Sequence, residues 1–386
     1  MPRVLVLNYE YPPLGGGGGV ASEYLADALV RDHGFEITVL TAGVGRQVET
    51  TRSAAGTKVI RIPCARTRPH RSSATNAFML RYVLRAIGFV RANRREFGAD
   101  CVHSHFAVPT GLAGLGVARA LGRPHVLTLI GGEVFEQPLE TRPIRSWWLR
   151  RLVRRVIDGS QIVTAISSDT RAGAIAATGT KTPIEVLTLG YARPAGPRTR
   201  RRPAPGPVRI VAVSRLVERK GYDVLFDALA GLPRERWRLT VVGDGPLQGA
   251  LEQRAARLGI GDQVRFTGYV SEAEKMRALA DADLFALASL HEGLGLVYFE
   301  AMDCGLPIVT TNHGGQTDFL ADPRNALLVP PGDATALRNA LERAISDASW
   351  REAAGAANAA DIERQTLRHV VPKYAEMLTR AAEMVR

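Results

Sequence analysis

Cysteine is scarce in this chain. Cys64, Cys101 and Cys304 are the only three, odd in number and widely spaced, which excludes a disulfide framework and a zinc site and makes a reducing cytosol the expected compartment. Long apolar runs are missing too. No stretch approaches the roughly eighteen uninterrupted apolar residues of a spanning helix, and Met1-Pro2-Arg3 leads straight into the apolar Val4–Leu7 without signal-peptide anatomy. There is no G-x-G-x-x-G fingerprint with a downstream acid, which argues against a nicotinamide-dependent oxidoreductase. No Gly-Lys-Ser/Thr follows the glycine run, so there is no Walker A loop. Asp-rich metal signatures are absent, and no metal ligand set is expected. Acidic residues are short in one half only. Residues 1–200 carry 27 Lys and Arg against 14 Asp and Glu, whereas the remainder carries 23 against 24. A net of +13 against −1 points to a polyanionic partner for the N-terminal half: a membrane surface, a phosphorylated substrate or nucleic acid.

What is present is the composition of a soluble globular chain, 46% hydrophobic and 23% charged, and 386 residues suffice for two domains. Short apolar strands alternate with helical patterns. Val4–Asn8, Phe35–Thr41, Cys101–His103, Val126–Leu129 and Ile162–Ala165 read as strands, and Val20–Asp32 reads as the first helix. A second set begins at Val208–Val213 and continues through Leu239–Val242, Val264–Thr267, Leu284–Ala286, Ile308–Thr310 and Leu327–Val329. This rhythm predicts two α/β domains with parallel sheets. Ala192–Pro207 (ARPAGPRTRRRPAPGP) is too rich in Pro, Gly and Arg to form an element interior and reads as the linker. The expected domains are therefore 1–192 and 208–369, joined by 193–207.

Three segments carry chemistry. Tyr11-Pro12-Pro13-Leu14 enters five glycines, Gly15 to Gly19, ahead of a helix, where backbone N–H groups can approach an anion. Ser214-Arg215-Leu216-Val217-Glu218-Arg219-Lys220-Gly221 follows a strand, and ligands in open α/β sheets bind beyond the carboxyl ends of strands. Arg215 and Lys220 are both placed to meet a diphosphate there. Gly243-Asp244-Gly245-Pro246 ends another strand of the same domain. In His291-Glu292-Gly293-Leu294-Gly295-Leu296-Val297-Tyr298-Phe299-Glu300, the glycines turn out of a strand and open a helix, with Glu292 at the turn and Glu300 about two helical turns inside. A carboxylate suits the paired hydroxyls of a ribose, and the helix start suits a phosphate.

Taken in order, YPPLGGGGG, DCVHSHF, LTLIGGEV, AISSDT, AVSRLVERKGYDVLFDAL, VVGDGPL, VRFTGYV and HEGLGLVYFEAMDCGLPIV resemble glycosyltransferase family 4 over nearly the whole length. The resemblance implies the GT-B fold, two Rossmann-like domains facing a central cleft, with a C-terminal helix near 370–386 returning to the first. It implies a retaining, metal-independent transfer from a nucleoside diphosphate sugar (UDP- or GDP-linked) as co-substrate, with no bound cofactor. Arg215 and Lys220 would hold the diphosphate and Glu300 the ribose. Glu292 with Gly293, Leu294 and Gly295 would touch the sugar and phosphates. Val270, Gly243 and Gly245 would contact the base, and Gly16 and Gly17 would approach the diphosphate from the other domain. His105 would lie near sugar and acceptor. His103 and His105 are expected to point to opposite faces of their strand. Three positions depart from the family pattern: Ile130 and Glu133 replace its usual His and Asp, and Asp318 replaces a Glu.

The segment Arg142–Asp158 (RPIRSWWLRRLVRRVID) sorts Trp148, Leu149, Leu152, Val153 and Val156 onto one helical face, with Arg150, Arg151 and Arg154 opposite. Trp147 falls among those arginines, which suits an anionic membrane interface; Asn76–Arg95 has similar basic amphipathic character. The partners this implies are a donor nucleotide-sugar, a glycan or lipid-linked acceptor and an anionic membrane, without nucleic acid. The expected location is the inner face of the cytoplasmic membrane, as a peripheral protein.

Overall fold

The structure is a computed structural model of the chain, and it describes residues 1–14, 16–65, 76–135, 144–194 and 205–384. The chain divides into two compact units between Ala192 and Arg193, and it leaves the second again at Gln365–Thr366. Residues 195–204, most of the expected linker, lie outside the described residues.

The first unit contains β1 (Arg3–Leu7), α1 (Gly17–His33), β2 (Glu36–Val44), β3 (Glu49–Arg52), β4 (Lys58–Ala65), α2 (Asn76–Ala92), β5 (Cys101–His105), α3 (Leu112–Leu121), β6 (His125–Leu129), α4 (Trp147–Asp158), β7 (Ile162–Ala165), α5 (Ser168–Thr178) and β8 (Glu185–Val186). The sheet order is β3-β4-β2-β1-β5-β6-β7-β8, parallel except for the β3–β4 pair. The central β5, β6 and β7 are buried at every position, as expected of parallel strands covered on both faces. The unpredicted β3 is polar and exposed throughout, so it lacks the apolar signal that marks the others. Helix α1 begins at Gly17, so Gly17–Gly19 form its first turn instead of a loop. Gly19 must be glycine there, because a Cβ would lie 1.7 Å from the Glu10 carbonyl oxygen.

The second unit contains β9 (Val208–Val213), α6 (Tyr222–Ala230), β10 (Trp237–Val242), α7 (Gln248–Arg257), β11 (Val264–Phe266), α8 (Glu272–Ala280), β12 (Leu284–Leu287), α9 (Leu296–Asp303), β13 (Ile308–Thr311), β14 (Ala326–Val329), α10 (Ala334–Ser346) and α11 (Ala348–Asp361). Its parallel sheet runs β11-β10-β9-β12-β13-β14. The last helix, α12 (Leu367–Glu383), belongs to the first unit and packs on α1, β5 and β6. It buries Val370, Val371, Tyr374, Met377, Leu378 and Ala381, one stripe at helical spacing.

Strand order locates the binding edge. In the first sheet the chain turns from β1 outward to β2 and β4, then resumes on the other side at β5. In the second it turns from β9 to β10 and β11, then resumes at β12. The loops after β1 and β5, and those after β9 and β12, therefore diverge at the switch points where open α/β sheets bind ligands.

Candidate active site

At the switch point of the second unit, the two diverging loops are held together. Beyond β9 the chain makes a single tight turn over Glu218–Lys220, closed by Gly221 at φ +61°. A side chain at Gly221 would put its Cβ 2.0 Å from the Ala288 carbonyl oxygen, so glycine sets the approach of this turn to the loop after β12. Leu290 N then donates to Arg219 O at 2.8 Å. The side chains follow. Lys220 Nζ sits 2.5 Å from Glu292 Oε1, which also accepts from Ser289 Oγ at 2.7 Å, and Arg219 Nη1 lies 3.8 Å from Glu292 Oε2. Glu292 is only 4% exposed. Burial alone would raise its carboxyl, but Lys220 and Arg219 outweigh that and hold it below the ordinary carboxylate range, so it is ionised at neutral pH. Burial works on Lys220 in the opposite sense and draws the ammonium down, against the pull of Glu292.

Arg215 is different. It is exposed, and no side-chain hydrogen bond or ion pair engages it among the described residues. The expected cation pair thus splits into a buried structural-electrostatic partner of Glu292 and a free guanidinium. Gly243 (φ +129°) and Gly245 pack under the Arg215 loop. A Cβ on Gly243 would meet Ser214 O at 2.0 Å, and one on Gly245 would meet Leu216 O at 2.4 Å. Close packing alone accounts for both glycines, whatever they contact in a complex. Val270 is half-buried just before α8.

Gly295, at φ +78°, caps α9, which starts at Leu296. Glu300 therefore stands little more than one turn inside, not the expected two. Leu294 is buried. Gly293 precedes it in the turn leading to the cap. Glu300 pairs with Lys275 of α8 at 2.7 Å, and Lys275 also reaches Glu272 at 2.9 Å. Burial raises Glu300 in spite of Lys275, whereas Lys275 is raised because its two carboxylates overcome its own burial. Lys275 was invisible to motif reasoning, since its helix position is ordinary. The loop after β13, which carries Asp318, also meets Glu292, a contact the motifs did not indicate: Gly315 N donates to Glu292 O at 2.7 Å, and Gly314 takes φ +117°.

The first unit repeats this arrangement at its own switch point. Ser22 Oγ of α1 and His105 Nδ1 at the end of β5 are 2.7 Å apart, joining the glycine loop to the histidine strand. Gly16 is the N-cap of α1 and Gly17 its first residue; a Cβ at Gly16 would meet nothing within 4 Å. His105 is buried and neutral, pushed down to about 4 by desolvation, and its Nε2 has no hydrogen-bond partner among the described residues. The expectation that His103 and His105 face opposite ways is corrected. Residues two apart on a strand share a face, and the rings stack edge-to-face with centroids 4.5 Å apart. Glu133, one of the departures from the family pattern, is buried and accepts from the backbone N–H of Ile130 (2.9 Å), Gly131 (2.9 Å) and Ala107 (3.3 Å). It ties the segment after β6 to the one after β5. Ile130 is half-buried near Gly18, and Asp318 lies in the short turn after β13.

The basic helix α4 differs from its expected faces. Val153, Val156 and Ile157 are buried, but Trp148 is 57% exposed beside Trp147 at 68%, so the apolar stripe loses its first member. Each arginine opposite has an internal contact. Arg150 bonds the Ala177 carbonyl, Arg154 pairs with Asp158 at 3.1 Å, and the Arg151 guanidinium lies 5.9 Å from the Trp147 ring centroid.

A family model described as "Glycosyltransferase Family 4" matches residues 15–193, and one described as "Glycosyl transferases group 1" matches residues 198–361. A GDP-mannose-dependent alpha-(1-6)-phosphatidylinositol monomannoside mannosyltransferase from Mycolicibacterium smegmatis is 30% identical over 372 residues, 92% of each chain. The chain belongs to glycosyltransferase family 4. Solved structures agree with this family 4 transferase in fold. The sucrose-phosphate synthase from Thermosynechococcus elongatus has a TM-score of 0.80 at 18% identity, covering 98% of this chain and 99% of that one. Anabaena Alr3699/HepE in complex with UDP reaches 0.73 at 21% identity, covering 98% and 100%. The GT-B fold expected from the motifs is therefore the fold of this glycosyltransferase.

Proposed function

We propose that this transferase moves a sugar, with retention, from a nucleoside diphosphate sugar to a hydroxyl of a lipid-linked or polymeric glycan acceptor, without a metal ion. The observation that carries this reading is the free Arg215 beside the buried Lys220–Glu292 pair at the switch point after β9 and β12. In such a transfer the anomeric carbon loses its bond to the diphosphate oxygen and gains one to the acceptor oxygen on the same face. The acceptor's proton passes to the departing diphosphate. The charge that develops on that group needs preorganised cations, and Arg215 and Lys220 supply them. Glu300 is the ribose ligand in this reading, and Lys275 steers its second oxygen. Among the described residues no group of three or more His, Cys, Asp or Glu is arranged to hold a metal. The acceptor class follows the mannosyltransferase relative, whose name specifies a phosphatidylinositol mannoside, and the donor base follows that relative's GDP or the UDP of the solved neighbour.

Slow donor hydrolysis, screened over UDP-, GDP- and ADP-sugars, should single out one nucleotide, and activity should persist in excess EDTA. Loss in EDTA restored by manganese or magnesium would overturn the metal-independent mechanism.

We place the enzyme at an anionic membrane surface. Support comes from the charge excess of residues 1–200, from Trp147 and Trp148 on α4, and from Leu80 and Leu84 on α2, which are 60% and 64% exposed. No helix among the described residues is long and apolar enough to cross a membrane. Each basic residue near such a surface contributes about 1 kcal/mol. Flotation with vesicles should require anionic lipid and weaken with salt, and it should drop when Trp147, Trp148 and Arg151 are changed together to Ser or Gln. Equal binding to neutral vesicles would count against this placement.

A further inference from the structure

A cavity of about 540 Å³ is lined, among the described residues, by Gly45, Arg46, Cys64, Ala65, Arg81 and Arg85, all of the first unit. Gly45 and Arg46 directly follow β2, and Cys64 and Ala65 end β4, so the cavity sits at the carboxyl edge of the sheet. It is two strands away from the β1 switch point, roughly 10 Å at ordinary strand spacing. Three arginines and no carboxylate line it among the described residues. Among the described residues, none of the three arginines has an ion pair.

The convergence is built by the fold. Tyr82, buried on the inner face of α2, donates its hydroxyl to Leu40 O at 2.9 Å and fixes that helix over β2. Arg81 and Arg85, one turn apart, flank this anchor. Arg81 Nη1 donates to Cys64 O at 3.1 Å, and Arg85 Nη1 bonds Pro63 O. Each guanidinium gives one donor to the end of β4, which orients the fork, and its other N–H groups have no partner among the described residues. Arg46 makes no side-chain hydrogen bond at all among the described residues. Three like charges around one cavity repel one another, and an anion between them would turn that repulsion into charge-assisted hydrogen bonds.

We infer that this cavity is a subsite for a phosphate ester carried by the acceptor, recognised by Arg46, Arg81 and Arg85. The inference rests on the transferase reading above and sharpens it: the acceptor is anionic, and its phosphate is held two strands from the β1 switch point of the first unit, about 10 Å at ordinary strand spacing. Leu80 and Leu84, exposed on the same helix as two of these arginines, suit a phosphate presented at a lipid surface, but the chemistry recognised is the phosphate.

Two probes test this at low salt: glycerol phosphate by calorimetry, and phosphatidylcholine vesicles with and without phosphatidylglycerol by sedimentation. Arg46→Gln, which disturbs no bond of the fold, should weaken binding about tenfold, the worth of a charged hydrogen bond. Arg81→Gln/Arg85→Gln should weaken it further. Effects on both probes indicate a phosphate recognised in any carrier, and effects on vesicles alone indicate a lipid phosphodiester. Wild-type protein that binds neither probe, or variants that bind both as the wild type does, would overturn the subsite. Donor hydrolysis is measured in the same variants. Its absence from the wild type would sink the transferase reading while leaving the phosphate measurement to stand or fall alone.

Discussion

Lys220→Ala should lower turnover about 10²–10³-fold, the usual cost of removing one preorganised charge from a leaving group. The same substitution should also destabilise the second unit, because Lys220 is not a free cation. Its ammonium is the nearest partner of the buried Glu292 carboxylate, and removing one member of a buried pair costs roughly 3–5 kcal/mol. Arg215→Ala should show a comparable loss of turnover with an unchanged melting temperature, since that side chain is exposed and engages no partner among the described residues. The contrast separates electrostatic catalysis from pair maintenance, and full activity in both variants would remove the assignment. Acid stability adds a second readout. Glu292 is held below its ordinary 4.5 in the folded chain, so it contributes stability at neutral pH, and that contribution is lost as pH falls through the depressed value. Without Lys220 the carboxyl rises, and the acid limb of the melting profile should move to higher pH. An acid limb that stays in place would mean that Arg219 and Ser289 suffice to hold the charge.

Gly314→Ala should be as damaging, although Gly314 carries no functional group. Its φ of +117° is strained for any side chain, and a Cβ there would lie 2.4 Å from Glu292 O and 2.7 Å from Glu292 N. Neither atom can yield without moving the carboxylate that Lys220 holds. Strain and overpacking together amount to roughly 2–6 kcal/mol. The expected result is a large fall in melting temperature, and any folded fraction should have weakened donor affinity. A variant with wild-type melting and donor binding would show that the turn after β13 does not position Glu292.

Much of the fold was legible in the sequence. Buried parallel strands announce themselves as short apolar runs, and Ile162–Ala165 and Val208–Val213 coincide with β7 and β9. The hairpin partner β3 was not legible, because four exposed polar residues carry no burial pattern. Helix α1 starts earlier than its apolar period suggests, because its first turn is Gly17–Gly19, poor helix formers, of which Gly19 packs against the Glu10 carbonyl. Trp148 departs from the helical period: it stands in the first turn of α4 and is exposed, ahead of the buried Val153, Val156 and Ile157.

Local order along the chain determined the βα alternation, the glycine turns and the residue types at the ends of strands, since these depend on neighbours within a turn or two. Only the tertiary structure decided which of those residues meet. Lys220 and Glu292 are 72 positions apart and touch because β9 lies beside β12, a consequence of strand order that no local pattern encodes. Lys275 reaches Glu300 across 25 positions in the same way, and three arginines from a strand end and a helix come to line one cavity. Charge on a side chain is written in the sequence. Whether that charge is spent on a buried partner or left free for a ligand depends on desolvation and distance, which exist only once the chain has folded.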